Sequence, residues 1–241
     1  MSLSHAAGGA RATPERPGEP AVDGTAPSMP AAVLWDMDGT LVDTEPYWNE
    51  VEHDLAARHG GTWSDAHAME LIGNDLLFSG RYIREHAGID VAPEQIVEEL
   101  LDGVVARVER AVPWRPGARE QLAALRAAGV PCALVTMSYQ RFVAPILASL
   151  PEDTFAVVVT GDTVDLGKPH PEPYLKAAAG LGVAPEDCLA VEDSNTGVRS
   201  AESAGCTVLV VPNHVRVLPG ARRIFRDTLV GQDLAALRLP G

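Results

Sequence analysis

Hydrophobic and polar positions along the chain fall into three regimes. Residues 1–29 show no periodicity: they are rich in Ala, Gly, Pro and Ser and include RATPERPGEP. Such a segment buries too little apolar surface to offset its chain entropy, so a disordered tail is expected. At 32–35 the uninterrupted apolar run AVLW reads as a fully buried strand. From residue 44 to 112 the pattern is helical throughout. Trp48, Val51 and Leu55 recur at helical spacing up to Gly60 and Gly61, Ser64 and Asp65 cap a second helix through Leu71, and a third follows Asn74 and Asp75. The fourth opens at Pro93 and carries Ile96, Val97, Leu100, Leu101, Val104, Val105 and Val108 along one stripe.

The third regime follows the proline-rich connection VPWRPG at 112–117. Helical spacing over 118–128, 141–150 and 173–181 alternates with short apolar runs at 131–135, 156–159, 188–191 and 208–211, with one more helix between the last two. Strands alternating with helices of this length imply a parallel sheet with right-handed crossovers. The expected architecture is therefore α/β: a doubly wound, Rossmann-like core made of 30–43 and 113–241, with an all-helical cap, 44–112, inserted after the first strand. Residues 222–237 are expected to form two short helices or irregular structure.

Polar residues gather where the apolar runs stop. The first strand ends in Asp36 and Asp38, followed by Gly39 and Thr40. In an open parallel sheet ligands sit outside the carboxyl ends of the strands. Two carboxylates at i and i+2 leave a tight loop together, suited to one divalent cation or to a division of nucleophile and acid/base roles. Turn chemistry alone accounts for a bare pair equally well. Later strand ends carry Thr136 with Met137 and Ser138, then Lys168 between Gly167 and Pro169, then Glu192 and Asp193. Each has a plain alternative: a helix N-cap, a solvated lysine held extended before proline, and a second N-cap.

Taken together, these segments resemble the haloacid dehalogenase-like hydrolases. DMDGTLVDTE is similar to the family's first motif, and Thr136, Lys168 in GKPHPEPY, and Glu192 with Asp193 in VEDSNTG are similar to the second, third and fourth, in the family's order over 31–212. The resemblance implies Asp36 as nucleophile, forming an aspartyl-phosphate, and Asp38 as general acid and then base, its backbone carbonyl a metal ligand. It implies that Thr136, with neighbouring groups of Met137 and Ser138, holds a phosphoryl oxygen at a helix N-terminus, and that Lys168 neutralises phosphate charge. Mg²⁺ would be held by Asp36, Asp38 and Asp193, with Glu192 bound directly or through water. Cap residues such as Asn74, Asp75 and Arg81 would face the substrate.

The activity so implied is Mg²⁺-dependent hydrolysis of a small phosphorylated metabolite, a sugar or polyol phosphate. The alternatives are a β-phosphoglucomutase-like phosphomutase and a non-catalytic phosphate-ligand-binding protein. Dehalogenation is disfavoured because the family's dehalogenases lack the acid found here at Asp38 and do not use magnesium. Its mutases carry a histidine twelve residues after the nucleophile, where this chain has Trp48, whose indole offers one donor and no titratable nitrogen.

Composition narrows the partners. A net charge of −14 over 241 residues argues against nucleic acid or an anionic membrane. Cys132, Cys188 and Cys206 lie in apolar runs without CxxC spacing, the pattern of reduced cytoplasmic thiols, and the seven histidines show no ligand spacing for a transition metal. No apolar segment matches the about 7–15 residues of a signal peptide core or the roughly 18 of a membrane span. A monomer or weak homodimer is expected.

Overall fold

The computed structural model describes residues 28–71, 76–233 and 237–239. The tail over 1–27 and the substrate-facing expectations at Asn74 and Asp75 lie outside the described residues. Ser28, within the expected tail, accepts a 2.9 Å hydrogen bond from the Leu239 amide and bridges to it.

Six parallel strands form one sheet: β1 (Ala32–Trp35), β2 (Cys132–Val135), β3 (Val157–Val159), β4 (Cys188–Glu192), β5 (Thr207–Val210) and β6 (Arg223–Phe225), in the order β3-β2-β1-β4-β5-β6. β1 is buried at every position because both faces are covered, which is why it reads as a continuous apolar run. The two-residue period of the strands divides the core. Val33, Trp35, Leu134, Leu189, Val191 and Leu209 point to one side, with Leu122 and Leu125 of α5 (Ala118–Ala127) and Phe142 and Ile146 of α6 (Gln140–Ala148). Ala32, Leu34, Ala133, Ala190, Val208 and Val210 point to the other, against Tyr174 and Ala178 of α7 (Glu172–Leu181) and Val198 and Ala201 of α8 (Asn195–Ala204). Small residues here let α7 and α8 lie close to the sheet.

Among the described residues, four helices stand between β1 and α5: α1 (Glu45–Arg58), α2 (Asp65–Leu71), α3 (Leu76–Ala87) and α4 (Pro93–Arg110). Pro46 and Pro93 occupy first-turn positions, where a missing N–H is tolerated. The stripe read on α4 is the buried face, with Ile96, Leu100, Leu101, Val104 and Val108 all inaccessible or nearly so. The helical insertion does not carry a core of its own. Val51, Leu55, Ile83, Ile96 and Leu100 belong to the same buried cluster as Val33, Trp35, Met37 and Phe142. At the seam, Trp48 meets Phe142 edge-on at 5.6 Å, and Arg141 reaches Glu98 and Asp102 on α4.

The two chain segments joining insertion and core pair with each other. Asp43 N–H donates to Pro113 O at 2.9 Å, Arg115 N–H donates to Leu41 O at 2.8 Å, and Val42 bridges Trp114. Among the described residues no helix is long and apolar enough to cross a membrane.

One expectation is corrected. Residues 223–225, placed in a region of short helices or irregular structure, form the edge strand β6, fixed by Val208 N–H to Arg222 O and Arg226 N–H to Val210 O. Three residues at a sheet edge, two half-buried and one exposed, are too few to show an alternation. The segment after β6 is anchored to α5 by Gln121, whose amide donates to Gln232 O at 2.6 Å. There Gly117 has φ +88°, and a Cβ on it would lie 2.4 Å from the carbonyl carbon of Leu229 and 2.5 Å from Val230 N. Gly117→Ala combines left-handed strain with a backbone clash, so a loss of about 2–4 kcal/mol is expected, read as a lower urea midpoint at unchanged slope. A midpoint equal to wild type would show that the 229–230 backbone does not pack there.

Candidate active site

The strand order reverses at β1, which β2 flanks on one side and β4 on the other, and the crevice outside that junction is where an open sheet holds its ligands. Asp36 continues the pairing one residue past β1, its N–H donating to Val191 O at 3.0 Å. Its carboxylate is nearly inaccessible. Asp36 Oδ1 accepts from Lys168 Nζ at 2.7 Å, while Asp36 Oδ2 is buried without a hydrogen-bond partner.

Lys168 spends all three of its protons: on Asp36, on Glu192 Oε1 at 2.7 Å and on Val135 O at 2.9 Å. Its amide points to the Met137 sulfur at 3.2 Å, so the Met137 side chain supports the lysine loop. Glu192 is the last residue of β4 and wholly buried. Tyr174 Oη donates to Glu192 Oε1 at 2.7 Å, and Ser194 Oγ to Glu192 Oε2 at 3.2 Å, with the amides of Asp193 and Ser194 alongside. Both Glu192 oxygens are therefore engaged with protein donors.

Asp38 points elsewhere. Its Oδ2 accepts from Ser138 Oγ at 2.6 Å and Thr136 Oγ1 at 3.3 Å, and its Oδ1 from Thr44 Oγ1 at 2.9 Å. The hydroxyls of Thr136 and Ser138 thus orient Asp38. α6 begins only at Gln140, whose amide donates to Asp162, so the residues beside Asp38 belong to the loop before that helix and not to its N-terminus. A Gly39 Cβ would fall 2.1 Å from Asp193 Oδ2, so the turn after Asp38 lies directly against that carboxylate.

Oxygens of Asp36, Glu192 and Asp193 lie within 4.8 Å of one another. Burial, then the Glu192 charge, raises the Asp36 carboxyl to about 7 against the opposing pull of Lys168. Burial, then Asp36 and Glu192, raises Asp193 to about 9. Burial raises Asp38 too, opposed by its three hydroxyl donors and Lys168. Three acids around a single ammonium leave excess negative charge, and Asp36 Oδ2 is an unpaired buried oxygen. An oxygen-only set of this kind fits a hard divalent cation.

Several site residues escaped the sequence reading. Thr44 is the last residue of DMDGT-LVDT and looked like part of a linker. Tyr174 sits six residues beyond Lys168, its ring 5.2 Å beneath the ammonium, at a spacing that reads simply as helix core. Glu45, at the start of α1, has its carboxyl raised to about 7 by burial and by the nearby Asp38 charge. Arg115 lies in the proline-rich connection at 112–117, where the sequence offers no sign of a site role. Arg81 is exposed and borders a surface hollow with Arg84, Asp90 and Pro93, to which none of the acids above contributes.

Comparison with known proteins identifies the family. A profile described as haloacid dehalogenase-like hydrolase matches residues 30–205. Hexitol phosphatase B of Escherichia coli K12 is 30% identical over 215 residues, covering 88% of this chain and 94% of that protein. Phosphoglycolate phosphatase of Yersinia pestis is 36% identical over 186 residues, covering 72% and 77%. Among solved structures, CbbY from Rhodobacter sphaeroides in complex with xylulose-(1,5)bisphosphate superimposes with a TM-score of 0.77 at 27% identity, covering 88% of this chain and all of that one. On the strength of the profile, the relatives and the shared fold, the chain belongs to the haloacid dehalogenase-like hydrolases.

Proposed function

We propose that this protein is a Mg²⁺-dependent phosphatase that hydrolyses a small sugar or polyol phosphate through an aspartyl-phosphate on Asp36. The observation that carries the reading is the Asp36 carboxylate itself, with one oxygen pinned by Lys168 and the other unpaired beside Asp193. Asp36 Oδ2 attacks phosphorus, an O–P bond forms and the bond to the leaving oxygen breaks, while Asp38 gives that oxygen its proton. Burial favours the protonated form of Asp38, and Thr44, Thr136 and Ser138 hold the carboxyl in place. In the second half, water attacks phosphorus, the bond to Asp36 breaks, and Asp38 takes the water's proton.

Asp36 and Asp193, with the Asp38 backbone carbonyl that the resemblance assigns, are the groups that would hold Mg²⁺. When bound, the ion neutralises phosphoryl oxygen charge. Glu192, its oxygens saturated, acts by fixing Lys168. Residues 44–112 act as a cap that closes over the crevice about the paired linkers and excludes water until substrate is bound. The hexitol phosphatase and phosphoglycolate phosphatase relatives support a small monoester as substrate. Three free, buried cysteines support a reducing, cytoplasmic setting, in which the enzyme acts as a monomer or weak homodimer.

Mutase chemistry is the second reading, favoured by fold similarity to proteins such as a putative beta-phosphoglucomutase from Thermotoga maritima, 31% identical. Trp48 weighs against it. The indole packs on Phe142 at the seam and supplies no proton acceptor to orient a sugar hydroxyl, so water is the default acceptor.

Asp36→Asn is expected to lower phosphate release by at least about a thousandfold. Near wild-type turnover in that variant, measured with a panel of sugar and polyol phosphates, would sink the mechanism. For the metal, the sign follows from the raised acids. Asp36 and Asp193 have folded values of about 7 and about 9, above the usual carboxylate range. The native chain therefore keeps protons that the unfolded chain has released, and without metal its stability falls as pH rises from roughly 4 toward those values. A divalent cation that takes the ionised carboxylates reverses the loss, so the rise in melting temperature on adding Mg²⁺ should be larger at pH 8 than at pH 5.5. A rise independent of pH, or none, would count against this metal site. To separate hydrolysis from isomerisation, β-glucose 1-phosphate is supplied with Mg²⁺ and a catalytic amount of the 1,6-bisphosphate. Inorganic phosphate should outpace glucose 6-phosphate, and the reverse order would establish the mutase.

A further inference from the structure

Arg115 lies in the second linker, half-buried, and its guanidinium is spent on backbone carbonyls from two other segments. Nη1 donates to Gly39 O and to Val211 O at 3.0 Å, and Nη2 donates to Pro212 O at 3.1 Å. Gly39 follows Asp38 directly and lies against the Asp193 carboxylate. The other backbone group of Gly39 is tied to the first linker, its N–H donating to Val42 O at 2.8 Å. Both polar groups of this one residue are thus held by the two segments that lead into the helical insertion. The contact to Val211 extends the connection, since Val211 N–H donates to Glu192 O at 2.8 Å. Asp43 of the first linker is gripped by the same loop after β5, accepting from His214 Nε2 at 2.8 Å.

We propose that Arg115 is a positioning residue for phosphoryl transfer, coupling the orientation of the helical insertion to the placement of Asp38 and Asp193 through the carbonyl of Gly39. This rests on the phosphatase reading above. A rotation of the insertion about its paired linkers moves Arg115, and with it the peptide between the acid/base residue and the metal-side carboxylate. The chemistry requires arginine in particular. A planar fork with two terminal nitrogens spans carbonyls of the first-strand loop and the fifth-strand loop together, whereas a lysine ammonium is a single point at the end of a flexible stem.

The test uses the full-length protein with Arg115→Lys and Arg115→Ala. Arg115→Lys should lower kcat by at least about tenfold while KM stays within about threefold, because substrate still binds but the acid/base turn is misplaced. Amide hydrogen exchange over 38–43 should quicken in that variant under conditions where the rest of the sheet is unchanged. Arg115→Ala should regain activity on addition of sub-denaturing guanidinium ion, a rescue that a general loss of stability would not show. If Arg115→Ala does not fold, the lysine variant carries the test alone. Wild-type kcat in Arg115→Lys, or exchange over 38–43 that matches wild type, overturns the proposal. If the wild-type protein releases no phosphate from any monoester, the phosphatase reading fails, and the exchange measurement alone then decides whether Arg115 holds the turn.

Discussion

The site depends on one buried ammonium shared between two carboxylates. Lys168 is 5% exposed and its partner Glu192 is fully buried, a placement that would be strongly unfavourable for either charge alone. It is tolerated because every donor and acceptor is used: three protons on Lys168, and five donors converging on Glu192 from Lys168, Tyr174, Asp193 and Ser194. Glu192 is therefore the fixed end of the assembly. Lys168 inherits its position from Glu192, and Asp36 inherits its orientation from Lys168. The same saturation leaves no protein donor for the second oxygen of Asp36, and burial with mutual repulsion raises Asp36 to about 7 and Asp193 to about 9. The crevice therefore holds protons that a bound cation would displace.

Sheet topology brings these groups together. Asp36 follows β1 and Glu192 ends β4, more than 150 positions apart in sequence, yet the two strands pair in parallel with Trp35 opposite Val191. Asp36 and Glu192 must then leave the same edge side by side. The helical insertion stands in a different relation to the core. Its apolar face continues the core cluster, which favours a docked arrangement, but the ion pairs between Arg141 and α4 are exposed and individually weak. The interface thus combines a continuous hydrophobic seam, a weak polar rim and two linkers that hydrogen-bond to each other.

Where the sequence was legible, the reason is period and termination. β1 was bounded to the residue because an apolar run on both faces stops at a charged turn, and α4 because one stripe runs unbroken from Pro93. β6 was lost because three edge residues carry no period. At the site, Asp36, Asp38, Lys168, Glu192 and Asp193 were legible as residues with chemistry at strand ends, helped by family resemblance. What the side chains do to one another was not. No spacing rule says that Thr136 and Ser138 turn toward Asp38, that Met137 props the Lys168 loop, or that Arg115 ignores every carboxylate for three carbonyls. Those outcomes are set by contacts between distant positions, 31 apart for Met137 and Lys168 and 76 apart for Gly39 and Arg115, and local pattern holds no information about them.

Charge at two length scales explains why such an acidic protein can work on an anion. The net charge of −14 sets up a field that repels a phosphate dianion at long range. At physiological salt that field is screened beyond about 8 Å, so it affects encounter far more than the events inside the crevice. Inside, burial makes each charge count for more, and the positive groups are few and placed: Lys168 beneath Asp36 and Glu192, and the Arg115 guanidinium close enough to Asp193 and Asp43 for their charges to act on it. Positive charge at these few buried points, and not the sign of the surface, therefore governs how the crevice meets an anion.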